Sequence, residues 1–190
     1  MSVAAHIRRH RGARSLPRTG RALFLILWAI AAPLGQAAEP AAEYEIKAAF
    51  LYQFANFVVW PGALPSRSAC IAVVGEDPFG QILERTVAGK TWDGRGILIR
   101  RVNELQEAAS CRMVFISASE SKRIRGVVER IAGAGVLTVG DTPGYCQAGV
   151  IINLLVENDR VRFEVNLRAA REAQLDISSK LLNVARQVFR

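Results

Sequence analysis

Residues 70–78 read Cys-Ile-Ala-Val-Val-Gly-Glu-Asp-Pro (CIAVVGEDP), and this stretch decides the fold. Cys70 to Val74 is an unbroken apolar run with no polar alternation, the mark of a strand buried on both faces. Gly75 closes the strand. Asp77 followed by Pro78 predicts a helix start, with Asp77 as N-cap and Pro78 at the first helical position. That helix is expected to run to about Ala88.

Moving towards the C-terminus, the same alternation recurs. Gly96 to Val102 is a predicted strand and Glu104 to Ala109 a short helix. Met113 to Ser117 is a strand, and Ser119 is expected to cap a helix through Ile131. Gly135 to Val139 is another strand, followed by turn chemistry in Asp141-Thr142-Pro143-Gly144. Val150–Val156 and Val161–Val165, joined by Glu157-Asn158-Asp159, predict a β-hairpin. Leu167–Ala173 and Ser178–Phe189 are predicted helical. Towards the N-terminus, Gly62 and Pro65 mark a loop, and Glu43 to Val59 is a predicted helix. Its apolar face is Ile46, Phe50, Phe54 and Phe57, and Pro61 ends it at Trp60. Strands alternating with helices imply an α/β fold. The expectation is a small three-layer domain, with a mostly parallel sheet flanked by helices and a C-terminal antiparallel hairpin.

The first 37 residues read differently. Six arginines precede an apolar run from Ala22 to Ala32, and small residues follow at Gly35-Gln36-Ala37-Ala38. These are the three parts of a secretory signal peptide. The run is short of the ~20 residues that span a bilayer. Gly35 and Ala37 suit the −3 and −1 positions, which puts cleavage before Ala38 and the domain at 38–190. No cysteine stands there for lipid attachment, and the apolar residues expected soon after a twin-arginine pair are missing behind Arg8-Arg9. A buried N-terminal helix or an uncleaved anchor are the alternatives.

The leader holds six of the 25 Lys and Arg residues and none of the 17 Asp and Glu residues. The net charge of +8 therefore falls to 19 basic against 17 acidic residues beyond it. A near-neutral domain offers no electrostatic case for nucleic acid. Both histidines, His6 and His10, also lie in the leader. Histidine-based nucleophile activation, histidine general bases and most zinc sites leave with them. No metal, cofactor or catalytic set is expected.

Three cysteines remain, read for an exported protein as potential bridges. Cys70 and Cys111 each stand at the start of a predicted parallel strand. In a 2-1-3 sheet those strands are neighbours, which brings the two within disulfide reach. Cys146 is left over as either a half-buried thiol or a redox-sensitive one.

Other motifs have two readings each. Gly89-Lys90-Thr91 imitates the end of a phosphate-binding loop, but Glu84 stands where that loop needs its first glycine. Ser178-Ser179-Lys180 is a Ser–Lys pair or a capped helix start. Glu76 and Asp77 flank a strand end, where open α/β sheets bind ligands, and Asp77 is also the predicted cap. Phe50, Tyr52, Phe54, Phe57 and Trp60 are core or, at the helix end, a partner or ligand surface. The residues singled out for such a surface are Phe57, Trp60, Glu76 and Asp77.

Several segments resemble the YfiR family of periplasmic proteins. They are Glu43–Gly62 (EYEIKAAFLYQFANFVVWPG), Val73–Gly80 (VVGEDPFG), Phe115–Glu120 (FISASE), Val136–Gly149 (VLTVGDTPGYCQAG) with Ile152-Asn153-Leu154, Val161–Arg171 (VRFEVNLRAAR) and Ile177–Arg186 (ISSKLLNVAR). The resemblance implies a non-catalytic regulator that binds the periplasmic part of an inner-membrane diguanylate cyclase and so restrains cyclic di-GMP synthesis and biofilm growth. It also implies relief by an OmpA-like outer-membrane lipoprotein or by breaking disulfides, a homodimer, and links to small molecules such as tryptophan. Relatives stand beside sensor kinases, so a sensor-kinase accessory or a small-molecule-binding protein is the alternative. The Cys70–Cys111 pair matches the family's first bridge. The second departs from the pattern, because Ala148 to Leu154 offers Cys146 no cysteine.

Overall fold

A computed structural model describes residues 38–60 and 68–190. The predicted leader and cleavage site lie outside the described residues. No described helix is long and apolar enough to cross a membrane.

The quoted run becomes strand β2 (Ser68–Val74), after helix α1 (Ala38–Phe54), a 3-10 turn (Ala55–Phe57) and the two-residue strand β1 (Val58–Val59). Helix α2 (Ile82–Val87), a small hairpin of β3 (Thr91–Trp92) and β4 (Arg95–Gly96), and strand β5 (Leu98–Val102) follow. Next come α3 (Leu105–Ala108), β6 (Cys111–Ile116), a second 3-10 turn (Ala118–Arg123), α4 (Ile124–Ile131) and β7 (Leu137–Gly140). Strands β8 (Ile152–Glu157) and β9 (Arg160–Asn166) precede α5 (Leu167–Glu172), β10 (Asp176–Ile177), α6 (Ser179–Val184) and β11 (Gln187–Phe189).

The main sheet has the order β11-β9-β8-β7-β6-β2-β5. The run β5-β2-β6-β7-β8 is parallel, and β8 and β9 form the antiparallel hairpin. Central strands lack polar alternation because both faces are covered. Ile71 and Val73 pack with Phe115, Leu51 and Leu83 on one face. Cys70, Ala72 and Val74 pack with Ala108, Val127 and Ile131 on the other. Three layers result, as expected for this pattern.

Several boundaries differ from the sequence reading. Ser178–Phe189 is not one helix: α6 ends at Val184, and β11 adds a further strand outside the hairpin, parallel to β9. Residues 77–81 form a turn before α2 rather than its first turn. Asp77 still caps locally, its Oδ1 accepting from the Phe79 N–H at 2.8 Å. Ser119 does not cap a helix; its Oγ accepts from the Glu76 N–H at 2.9 Å. The expected face of α1 is rotated. Lys47, Ala48, Leu51 and Phe54 are buried, whereas Ile46 is 49% exposed.

Candidate functional site

That rotation builds an apolar concavity. Ile46, Ala49, Phe50 and Phe57 from α1 and its following turn face Phe163 of β9 and Leu181 and Val184 of α6 across a groove of about 640 Å³. Phe50, Phe54 and Phe163 form its floor, with ring centroids 5.3–5.8 Å apart. Val184 is 63% exposed on the far wall. Glu45, Gln53 and Lys180 supply the polar lining.

Two devices hold the groove open between α1 and α6. The first is the β1–β10 ladder, which pairs Val58 with Ile177 and fixes the end of α1 beside the start of α6. The Ser178 N–H donates to the Phe57 carbonyl at 2.9 Å, and the Ser178 Oγ accepts from the Lys180 N–H, capping α6. The second is a buried ionic clamp. Lys47 Nζ donates to Asp141 Oδ2 at 2.8 Å and pairs with Glu43, and Tyr44 Oη donates to the same Asp141 oxygen at 3.1 Å. Both Lys47 and Asp141 side chains are 4% exposed. Burial alone would lower the Lys47 pKa, but the bonds to Asp141 and Glu43 overcome it and the net direction is up. The Tyr44 hydroxyl is pushed up to about 12, first by burial and then by the Asp141 charge.

The four residues singled out from sequence do not share one patch. Phe57 lines the groove. Trp60 lines a separate polar cleft beside Arg112, at the N-terminal edge of the parallel strands. Glu76 and Asp77 follow β2 at the opposite edge, roughly 20 Å away at ~3.3 Å per strand residue. Asp77 is engaged there: its Oδ2 accepts from Arg101 Nε at 2.7 Å, and Arg101 also pairs with Glu84. The switch point between β2 and β6 is filled by hydroxyls. Ser117 Oγ and Ser119 Oγ lie 2.8 Å apart, and a Cβ on Gly75 would come within 2.4 Å of Ser119 Oγ.

The remaining motifs take ordinary places. Lys90 of the Gly-Lys-Thr stretch lies over the Tyr52 ring at 4.4 Å. Cys70 and Cys111 form a disulfide with Cα atoms 4.9 Å apart. Cys146 is free and fully buried, not half-buried. Burial first, then the Glu164 charge, pushes its thiol up to about 12, so it is not a ready thiolate. No described cluster of His, Cys, Asp and Glu is arranged to hold a metal. Sequence reasoning missed Ile46 as a surface residue, Phe163 and Val184 as its neighbours, and Trp92 and Arg112 beside Trp60. Of the apolar residues on α6, Leu181 is buried and Val184 is exposed.

The YfiR/HmsC-like family model matches residues 44–186. No curated protein matches the chain. A crystal structure of a conserved domain protein from Vibrio cholerae O1 biovar El Tor aligns with a TM-score of 0.53 at 13% identity, over 76% of this chain and 60% of that one. The ABC domain of a Streptococcus pneumoniae protein, solved in complex with L-Trp, aligns with a TM-score of 0.48 at 12% identity, over 63% and 55%. The chain thus spans less than two thirds of either structure's length, and at such identities only the first likeness speaks, and only to the fold.

Proposed function

Because the chain belongs to the YfiR/HmsC-like family, we propose that it is an exported regulatory binding protein that restrains an inner-membrane diguanylate cyclase by direct contact. The observation that carries this reading is the groove between α1 and α6. A concave apolar surface between two helices supports a contact site, and the apolar face of a partner helix is an occupant of matching chemistry. The floor aromatics are rigid anchors of the kind that dominate binding energy. The partner is the periplasmic part of the cyclase, with a sensor kinase as the alternative. Relief by an OmpA-like lipoprotein and assembly as a homodimer belong to the same proposal.

The test combines co-purification with a cellular readout. The cyclase's periplasmic domain should co-purify with the protein, and deleting the gene should raise cellular cyclic di-GMP. Ile46→Asp and Val184→Asp place charges on exposed groove positions, so they should abolish the complex while changing stability by only about 0.5 kcal/mol. Unchanged cyclic di-GMP on deletion together with no complex would refute the proposal.

A further inference from the structure

The polar cleft beside Trp60 has a chemistry opposite to the groove's. It encloses about 340 Å³ where the turn after α1, the β3–β4 hairpin and the start of β6 meet, and Asn56, Trp60, Thr91, Trp92, Asp93 and Arg112 line it. Two of these carry donors in want of acceptors, and Arg112 is a third donor beside them. The indole nitrogens of Trp60 and Trp92 are both buried with no hydrogen-bond partner. Trp92 as a whole is 5% exposed. An indole N–H can only donate, and leaving one buried and unpaired is unfavourable. Both residues line the one cleft, so an acceptor entering it could serve both.

The third donor is Arg112. Its side chain is 14% exposed, and its guanidinium carbon lies 5.7 Å from the centroid of the Trp60 ring. Arg112 Nη1 donates to Asp93 Oδ2 at 2.5 Å. That bond engages one of the five N–H groups a guanidinium carries. Asp93 itself is 70% exposed and stands at the tip of the hairpin. Asp93 and Gly94 have φ of +51° and +74°, the pairing of a two-residue type I′ turn. A carboxylate therefore already sits on Arg112, but it is a solvated one on a short flap, and exposed ion pairs hold weakly.

We propose that this cleft binds a small organic monocarboxylate. The ligand's carboxylate displaces Asp93 from Arg112, and its oxygens take the indole N–H groups of Trp60 and Trp92. Three features select this class. A single guanidinium with a neighbouring aspartate suits one negative charge and disfavours a phosphate dianion. A planar fork is matched by a planar carboxylate. The aromatic walls and the small volume, at the low end for ligand sites, favour a compact body with an apolar or aromatic face. The site is independent of the groove and of the repressor reading.

Benzoate is the probe, with benzamide as its neutral counterpart and inorganic phosphate as the competing anion. Nitrogen-15 correlation spectra of the purified protein read the two indole N–H resonances directly. Benzoate should shift both, saturably, within about 10 mM, and benzamide and phosphate should bind at least tenfold more weakly, or ~1.4 kcal/mol. Arg112→Gln should weaken benzoate by a similar factor. Asp93→Asn, which keeps a residue tolerant of the left-handed turn, should tighten it severalfold by removing the internal competitor. The tightening also separates ligand binding from a structural role for Arg112, and needs no folded Arg112 variant. No saturable shift, equal shifts with benzamide or phosphate, or unchanged affinity in Asp93→Asn would overturn the proposal.

Discussion

The Cys70–Cys111 bridge allows one prediction to be worked through in full. Three cysteines exist and Cys146 is free, so a reductant acts on one bond only. The bridge joins residues 41 apart in sequence. Closing a loop of that length removes about 13 cal/mol/K from the unfolded ensemble in the chain-entropy treatment, or roughly 4 kcal/mol at 25 °C. Both sulfurs belong to the core beneath α3 and α4 and both residues are fully buried. Reduced thiols remain acceptable there as small apolar groups, so the native fold should survive reduction. Urea unfolding of oxidised and reduced protein, followed by far-UV circular dichroism, should give a difference of about 4 kcal/mol, with a larger m-value when reduced because the unfolded chain expands. The thermal midpoint should fall by roughly 8–16 °C. Thiol titration of denatured, unreduced protein should find one free thiol. Three thiols would remove the bridge, and a stability difference below about 1 kcal/mol would show that the cross-link does not act through the unfolded state.

Three further predictions concern the groove's supports and the core. Lys47→Met strands Asp141 without its partner at 4% exposure and should cost about 3–5 kcal/mol in urea unfolding; Lys47→Met with Asp141→Leu should recover most of it, and strict additivity would count against the clamp. Tyr44 and Cys146 are both raised to about 12 and Lys47 is raised too, so the folded state holds these protons more tightly than the unfolded chain does. Their stabilisation is therefore complete below the unfolded pKa values and is lost as pH climbs from about 9 towards 12; urea midpoints across that window should fall, and Cys146→Ala should delay the onset. Gly140→Ala would place a Cβ 2.3 Å from Tyr145 Cδ2, whose hydroxyl donates to the Ser117 carbonyl at 2.7 Å, and should cost about 1–3 kcal/mol by overpacking.

The sequence carries the sheet better than it carries the surfaces. Strands β2 and β6 are legible because burial on both faces leaves them no polar alternation, and with their order known the pairing of Cys70 with Cys111 follows. The β3–β4 hairpin had a local signal, the Asp93-Gly94 pair, but two-residue strands are too short to alternate. Strand β11 falls inside the predicted helix Ser178–Phe189, and nothing local shows that the chain turns back after Ala185 to pair with β9. Phe57 could be named from the sequence and lines the groove; Arg112 could not, because its partners come from residues 60 and 93.

Helix α1 shows most plainly why the site needed the fold. It is apolar nearly all round, so periodicity alone leaves its azimuth loose. The frame with the best apolar count, Ile46-Phe50-Phe54-Phe57, straddles the boundary between core and surface, with Phe54 buried and Ile46 exposed. Lys47 decides the matter, because a lysine at 4% exposure requires a buried anion, and Asp141 supplies one from 94 residues away, just after β7. One residue along a helix is a rotation of about 100°. Committing Lys47 to the interior therefore turns the neighbouring Ile46 outward and carries Ala49 and part of Phe50 with it. The cost of a buried ion pair is thus tied to a surface. An apolar residue in place of Lys47, paired with a leucine at position 141, would keep α1 packed yet remove the group that sets its rotation. The clamp is thus one of the groove's two supports, and the Lys47→Met/Asp141→Leu protein should regain stability while weakening the contact proposed with a cyclase domain.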